Sequence, residues 1–532
     1  MSPGKEEMTS PRRVVGAPCT AGSGLGGEAE AEGSGRRGSE RAEAAPGPDG
    51  ITPRALQELC DQVKRPLGIL YRRALREGSC PEDWRTANVT PIYKKGAKGK
   101  AGNYRPVSLT SVPGKILESI IKDRLMEHLL ENSLIKKSQH GFMPGRSCTT
   151  NLIEFMDKVT RAVDDGKAVD VFYLDFAKAF DKVPKERLLK KLEAKGVGGE
   201  VLGWIKAWLT DRKQRVTIRG QSSCWREVLS GVPQGSVLGP CLFAVFIDDL
   251  EDEIMELELA TYISKFADDT KGMKVIAGEE DRVMLQRALD SMAEWAERWG
   301  MEFNVNKCKI MHLGKNNPEF EYFLYGTKLA VTEEEKDVGV QINKNLKPAN
   351  HCKRVSLRAE AVLKQITRNF HYRDRRTFIK LYKQYVRPHL EFASPAWSPW
   401  TQADKQLVEK VQEKALKMVT GLVGRSYEER CLEVGLQTLE RRRWEQDMVE
   451  VYRILRRGDE DNARKILPRT NGGNVRTRLA AGAMNLAKMY SRTDLRKNSF
   501  AVRVTDAWNS LDDGTKEALD MNKFKKMLKN HN

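Results

Sequence analysis

Two short runs carry carboxylates in a pattern suited to phosphoryl chemistry. One is Tyr173-Leu174-Asp175-Phe176-Ala177-Lys178-Ala179-Phe180-Asp181; the other is Phe266-Ala267-Asp268-Asp269-Thr270, with Asp268 93 positions after Asp175. Two adjacent carboxylates at a strand turn, set beside a third at a strand end, make a hard-oxygen site for a pair of Mg²⁺ ions. Such a pair clamps the attacking and leaving oxygens of an in-line phosphoryl transfer. Adjacent Asp residues are also ordinary turn formers, and Asp268-Asp269 alone does not separate the two readings. The two runs together, in this order, favour the metal site.

The flanking residues describe the elements that must hold these carboxylates. Residues 169–176, which include Asp175 near their end, are otherwise apolar except for Asp170, as for a strand buried beneath helices. Residues 262–265 and 273–276 read as the two arms of a hairpin around Asp268-Asp269. From 169 to about 345 strands, helices and Gly/Pro loops alternate, as in an α/β or α+β core. Upstream, Thr52 is a helix cap with Pro53 at the first position, and the apolar spacing over 56–75 predicts a helix. Residues 89–93 and 103–107 predict a strand pair with a Lys/Gly-rich tip at 94–100, and helices follow at 114–131 and 151–164. Beyond 346 the periodicity predicts helices at 353–370, 374–387, 403–419 and 438–457, with no internal repeat.

Composition narrows the class. A chain of 532 residues holds two or three domains, and a net charge of +18 with a pI near 9.3 favours a polyanionic partner. The basic excess is concentrated in residues 351–400, with eleven Lys/Arg against three Asp/Glu. Residues 1–45 are rich in Gly, Ala, Ser, Glu and Arg and predict a disordered low-complexity tail, because they offer too little apolar surface to offset ordering. Nine dispersed cysteines form no CxxC pair, which speaks against a zinc finger or a disulfide scaffold. With no signal peptide in evidence, the expectation is an intracellular protein of the nucleus or cytoplasm, not a secreted one. The longest apolar run, 237–247, is interrupted by Gly239-Pro240 and falls short of the roughly 20 residues of a membrane helix.

Further motifs fall in a fixed order around the carboxylates. They are Asn103-Tyr104-Arg105-Pro106-Val107-Ser108-Leu109, Gly141-Phe142-Met143-Pro144-Gly145-Arg146-Ser147, the Asp175 run, Gly231-Val232-Pro233-Gln234-Gly235-Ser236-Val237-Leu238-Gly239-Pro240, the Asp268 run, and Lys336-Asp337-Val338-Gly339-Val340. This series, with the tail element Val504-Thr505-Asp506-Ala507-Trp508-Asn509-Ser510-Leu511, resembles the reverse transcriptases of non-LTR (LINE-type) retrotransposons. The likeness is to the jockey and chicken-repeat branch and runs from about residue 46 to the C-terminus. It implies an α+β right-hand polymerase: N-terminal extension and fingers at 46–165, a palm with an antiparallel sheet at 166–345, a helical thumb at 346–430 and a helical C-terminal region at 431–532. The implied activity is RNA-directed DNA polymerisation, adding dNTPs to a primer 3′-OH with two Mg²⁺ ions, Mn²⁺ being a tolerated substitute. The implied partners are an RNA template, a DNA primer and their RNA–DNA hybrid. A catalytically inactive nucleic-acid-binding remnant of such an element is the alternative.

The resemblance also assigns roles. Asp175 and Asp268 would bind the metals, with the Phe176 carbonyl as a further ligand and Asp269 as the supporting carboxylate. Phe180 matches the aromatic that excludes a ribose 2′-OH, although core packing is the commoner fate of a Phe. Gln234 matches a nucleotide contact, and Arg105, with Lys94 and Lys95 nearby, a triphosphate clamp. Lys307 or Lys309 would protonate the leaving pyrophosphate, the choice between them staying open, and residues 338–340 would be the primer grip. Basic residues such as Arg373, Arg376 and Lys383 would lie along the hybrid backbone, where contacts position without reading sequence. Nothing in this sequence resembles the apurinic-type endonuclease of full-length elements, so the chain, if this is its whole length, is expected to extend a primer but not to cut one. An RNase H carboxylate set is likewise not recognisable. Cys241, where an aliphatic residue is usual, and Asp248, where Asn is commoner, are the small departures.

Overall fold

Residues 45–256, 259, 261–456, 460–470 and 484–531 are described by the computed structural model of the chain. The low-complexity tail expected from composition lies, but for its last residue, outside them. The chain divides into two units, one of residues 45–134 and 183–245, the other of 135–182 and 246–531.

In the first unit, Thr52 caps as its residue type predicts, its Oγ1 accepting the Ala55 N–H at 3.2 Å. The helix expected over 56–75 is two helices, Pro53–Glu58 and Cys60–Arg76, because Leu59 leaves helical geometry at ψ 18°. Strand Thr86–Tyr93 pairs antiparallel with Tyr104–Leu109, Tyr93 opposite Tyr104, and parallel with Lys213–Ile218. Helix α1, Val112–Glu131, buries Leu117, Ile121, Leu125 and Leu129, a row at four-residue spacing that makes one face apolar.

The second unit is built on a five-stranded sheet: β1 Ala168–Leu174, β2 Tyr262–Phe266, β3 Asp269–Ile276, β4 Lys309–Leu313 and β5 Ala330–Val331. The order is β5-β4-β1-β3-β2, antiparallel throughout except for the parallel β5–β4 pair. Every residue of the central strand β1 is buried, which is why its sequence is an apolar run rather than an alternation. Val169, Val171 and Tyr173 share a core with Phe155 and Val159 of helix α2, Cys148–Asp164. Asp170, the one charge in the run, is wholly buried and fully engaged. Its Oδ1 accepts from His312 Nδ1 at 2.6 Å and Asn317 Nδ2 at 2.9 Å, and its Oδ2 accepts from the Tyr322 hydroxyl at 2.6 Å.

A second hairpin, β6 Glu334–Asp337 and β7 Val340–Asn343, turns on Val338 and Gly339, with φ of 42° and 98°. Two-residue hairpin turns of this kind match the twist of the strands but need positive φ, which a β-branched residue adopts only under constraint. The constraint includes a buried ion pair between Asp337 and Lys271 of β3, each side chain only 4% exposed.

The rest of the unit is helical. Helices α3 Ala349–Asn369, α4 Gln402–Lys417 and α5 Leu439–Arg456 extend the core begun by the sheet. The helix expected over 374–387 is Arg375–Leu381, a π-helical turn Tyr382–Val386, and Arg387–Glu391. Pro388 accounts for the interruption, since it has no N–H to donate and its ring crowds the preceding turn. Trp508 of the tail element is wholly buried in a second core with Tyr452 and Phe524. Among the described residues no helix is long and apolar enough to cross a membrane.

Candidate active site

Asp175 follows the last residue of β1. Leu174 pairs with Thr270, so one further step of the same register sets Asp175 against Asp269 at the end of the β1–β3 ladder. The backbone here is pinned on its other side: Asn304 N–H donates to the Asp175 carbonyl and Ala177 N–H to the Glu302 carbonyl, both at 2.8 Å. These two bonds flank Phe176 and Phe303 as a non-hydrogen-bonded antiparallel pair, so the Phe176 N–H and carbonyl point away from that segment. The Phe176 ring, 2% exposed, stacks on Phe303 with centroids 4.2 Å apart, anchoring the strand end.

Strands β2 and β3 form a hairpin whose two-residue turn is Ala267-Asp268, Phe266 pairing with Asp269. Ala267 adopts φ 57°, left-handed for a residue with a Cβ. The carboxylates are close enough to perturb one another. The surrounding protein, followed by repulsion from Asp268, Asp175 and Asp337, pushes the Asp269 carboxyl up to about 7, against the pull of Lys271. The Asp269 side chain itself remains open to solvent, which weakens both causes and leaves the upward direction as the result.

Such mutual repulsion is the electrostatic condition a divalent cation relieves. Among the described residues no three His, Cys, Asp or Glu side chains converge into a ready-made metal cage. Mg²⁺ in general keeps several waters and takes one or two carboxylates together with substrate phosphates. Lys307 supplies a countercharge, its Nζ 2.7 Å from Asp175 Oδ1. Lys309 turns elsewhere, donating to the Asn306 carbonyl at 3.1 Å, so the two lysines have different partners.

Phe180 is half-buried and meets Phe142 edge-on, with ring centroids 6.2 Å apart. Phe142 is 41% exposed with φ 62°, and its part beside Phe180 was not legible in the motif. Two other residues escaped sequence reading because their partners are remote. Lys265, fully buried, donates to the Asp248 carbonyl at 2.9 Å and faces Glu251, while Gln139 accepts the Ala267 N–H at 3.1 Å. The Asp248 carboxylate itself accepts the Lys136 N–H at 2.8 Å.

Arg105 and Gln234 belong to the first unit. Arg105 is exposed on strand Tyr104–Leu109, with Lys94 and Lys95 exposed in the neighbouring turn. The Gln234 carbonyl accepts the Ser108 N–H of that strand at 2.7 Å, so the two motifs adjoin. Gly235, at φ 118°, allows this approach, since a Cβ there would lie 2.4 Å from the Ser108 carbonyl oxygen. Glu118 of α1, buried, holds the same loop by accepting the Val237 and Leu238 N–H groups at 2.7 and 3.2 Å.

Residues 92–344 match the family model of the reverse transcriptase (RNA-dependent DNA polymerase). The RNA-directed DNA polymerase from mobile element jockey of Drosophila melanogaster is 25% identical over 389 residues, covering 71% of this chain and 42% of that protein. The probable RNA-directed DNA polymerase from transposon BS of the same fly is 27% identical over 393 residues, covering 71% and 43%. The chain thus spans about two fifths of the length of these relatives. Among solved structures, apo telomerase from Candida tropicalis matches at a TM-score of 0.40 and 11% identity, covering 72% of this chain and 66% of that one. That likeness is too distant to bear on mechanism. Residues 92–344 of this chain are a reverse transcriptase domain, related to those of jockey and other non-LTR retrotransposons.

Proposed function

We propose that this chain is an RNA-directed DNA polymerase that adds dNTPs to a primer 3′-OH along an RNA template, with RNA–DNA hybrid as its bound product. One observation carries the reading. Asp175 ends a buried strand beside a hairpin that carries Asp268 in its turn and Asp269 at the start of β3, and Asp268 and Asp175 both repel the Asp269 carboxylate. Reverse transcriptases as a family use divalent metals, and two Mg²⁺ ions held by Asp175, Asp268 and the Phe176 carbonyl would supply charge neutralisation at the transferring phosphoryl group. The protein's own work is positional. The ladder fixes Asp175 against Asp269, and the Phe176–Phe303 stack keeps that strand end from moving. Lys307, paired with Asp175, is proposed to give a proton to the departing pyrophosphate oxygen, and Phe180 is proposed as the steric gate against a ribose 2′-OH. Gln234 and Arg105 are proposed as nucleotide contacts on their motifs. The domain division is proposed as well: fingers to 165, palm to 345, thumb to 430 and a helical C-terminal region beyond.

The experiment is dNTP incorporation by the purified chain on a primed homopolymer RNA with Mg²⁺, beside a salt titration of hybrid binding. Template-dependent synthesis supports the polymerase. Salt-sensitive binding of the hybrid without synthesis instead identifies a nucleic-acid-binding remnant.

A further inference from the structure

The turn that presents Asp268 is held from behind by a single buried amide. Gln139 is fully buried, and its Oε1 accepts two backbone N–H groups, from Gly141 at 2.7 Å and from Ala267 at 3.1 Å. Its Nε2 has no hydrogen-bond partner among the described residues, so the side chain serves as an acceptor alone. A buried amide that leaves its donor unused is uncommon, and it marks the acceptor as the reason for the residue.

The receiving group is informative. Ala267 is left-handed, a conformation that a residue with a Cβ holds only when its surroundings over-determine it, and it immediately precedes Asp268. The segment around Gln139 provides that constraint. It runs beside β2 as a parallel bridge, Lys265 N–H donating to the Ser138 carbonyl and His140 N–H to the Lys265 carbonyl, both at 2.8 Å. Gly141 closes on the turn itself: a Cβ at that position would sit 2.2 Å from the Ala267 nitrogen. Behind it, Arg146 Nη1 donates to the Gln139 carbonyl at 2.7 Å and also to the Lys137 carbonyl.

We propose that Gln139 is a positioning residue for catalysis, fixing Ala267 in its left-handed conformation and thereby the aim of Asp268. The catalytic half of this inference rests on the polymerase reading. An amide suits the position better than a carboxylate, because it accepts both N–H groups without adding a further negative charge beside Asp268 and Asp269.

The test compares the full chain with Gln139→Met, which keeps length but removes the acceptor, and Gln139→Glu, which keeps it. Amide hydrogen exchange at Ala267 reads the bond directly. kcat, KM for dNTP and hybrid affinity on primed RNA read its consequence. Gln139→Met is expected to accelerate exchange at Ala267 about tenfold or more. It should lower kcat on the order of 100-fold, the cost of a small misplacement of a reacting group, with KM and hybrid affinity nearly unchanged. Gln139→Glu should keep the slow exchange of the parent, which a loss through mispacking alone would not restore. Unchanged exchange in Gln139→Met, or faster exchange with an unchanged kcat, overturns the proposal. Absence of synthesis in the parent removes the polymerase reading and the catalytic half with it, while the exchange result still decides whether Gln139 holds the turn.

Discussion

Lys307 Nζ lies 2.7 Å from Asp175 Oδ1, whereas Lys309, two residues on, is bonded to the Asn306 carbonyl. On the proposed function Asp175 would bind metal, and an ammonium beside it is the candidate to protonate the leaving pyrophosphate. Lys307→Gln is expected to lower kcat about 100-fold or more, within the range for loss of a general acid, and Lys309→Gln only a few-fold. Melting should barely change for Lys307→Gln, since the lysine is 55% exposed and such pairs contribute roughly 1 kcal/mol or less. Single-turnover incorporation rates check this, and equal losses in the two variants would contradict it.

Phe180 and Phe142 meet edge-on at 6.2 Å, which gives the proposed sugar gate a supporting wall. Phe180→Val should raise ribonucleotide use relative to deoxynucleotide use, and Phe142→Ala should do so to a smaller extent by letting the Phe180 ring yield. Competition between dNTP and rNTP on one primed template measures both. Unchanged discrimination in Phe180→Val returns that ring to a packing role.

The buried Lys271–Asp337 pair ties the Val338-Gly339 turn to β3. Lys271→Met strands a buried carboxylate and should destabilise the second unit by about 3–5 kcal/mol. The double substitution Lys271→Met with Asp337→Leu removes both charges and should recover most of that loss. Denaturant titration of the three variants checks the sign: a double variant no better than Lys271→Met would show that the pair is not the source of the coupling.

His351, 3% exposed, accepts the Gln341 N–H on Nδ1 at 3.0 Å and packs edge-on against Trp397. Burial, with Arg354 adding repulsion, lowers its pKa from 6.5 to about 4. The unfolded chain therefore binds this proton more readily, and stability is fully present above about pH 6.5 and lost as pH falls toward 4. The loss attributable to this group is roughly 3 kcal/mol at most. His351→Asn keeps an acceptor without titrating in this range, so its melting temperature should fall less between pH 7 and pH 4.5 than that of the parent.

Local pattern made much of the site legible. The apolar run before Asp175, interrupted only by Asp170, announces a buried central strand, and the two arms around Asp268 announce a hairpin, because burial and turn chemistry act over a few residues. Asp170 is legible only as an exception, since its partners His312, Asn317 and Tyr322 are more than 140 positions away. Gln139 and Lys265 are hidden for the same reason: each serves backbone groups of a remote or differently folded segment, which leaves no periodic trace. The break at Leu59 and the π-helical turn at Tyr382–Val386 show the limit of periodicity for helix ends, although Pro388 carries a visible warning of the second.

The most direct measurement is nucleotide incorporation on primed RNA by Asp268→Ala beside the parent, both at saturating hybrid and with hybrid affinity measured in parallel. The account predicts synthesis in the parent, hybrid affinity preserved in the variant, and a fall in its rate of about 1,000-fold or more, since the lost carboxylate is the one proposed to hold a metal at the transferring phosphoryl group. Synthesis by Asp268→Ala within a few-fold of the parent would contradict the assignment of this hairpin as the catalytic centre.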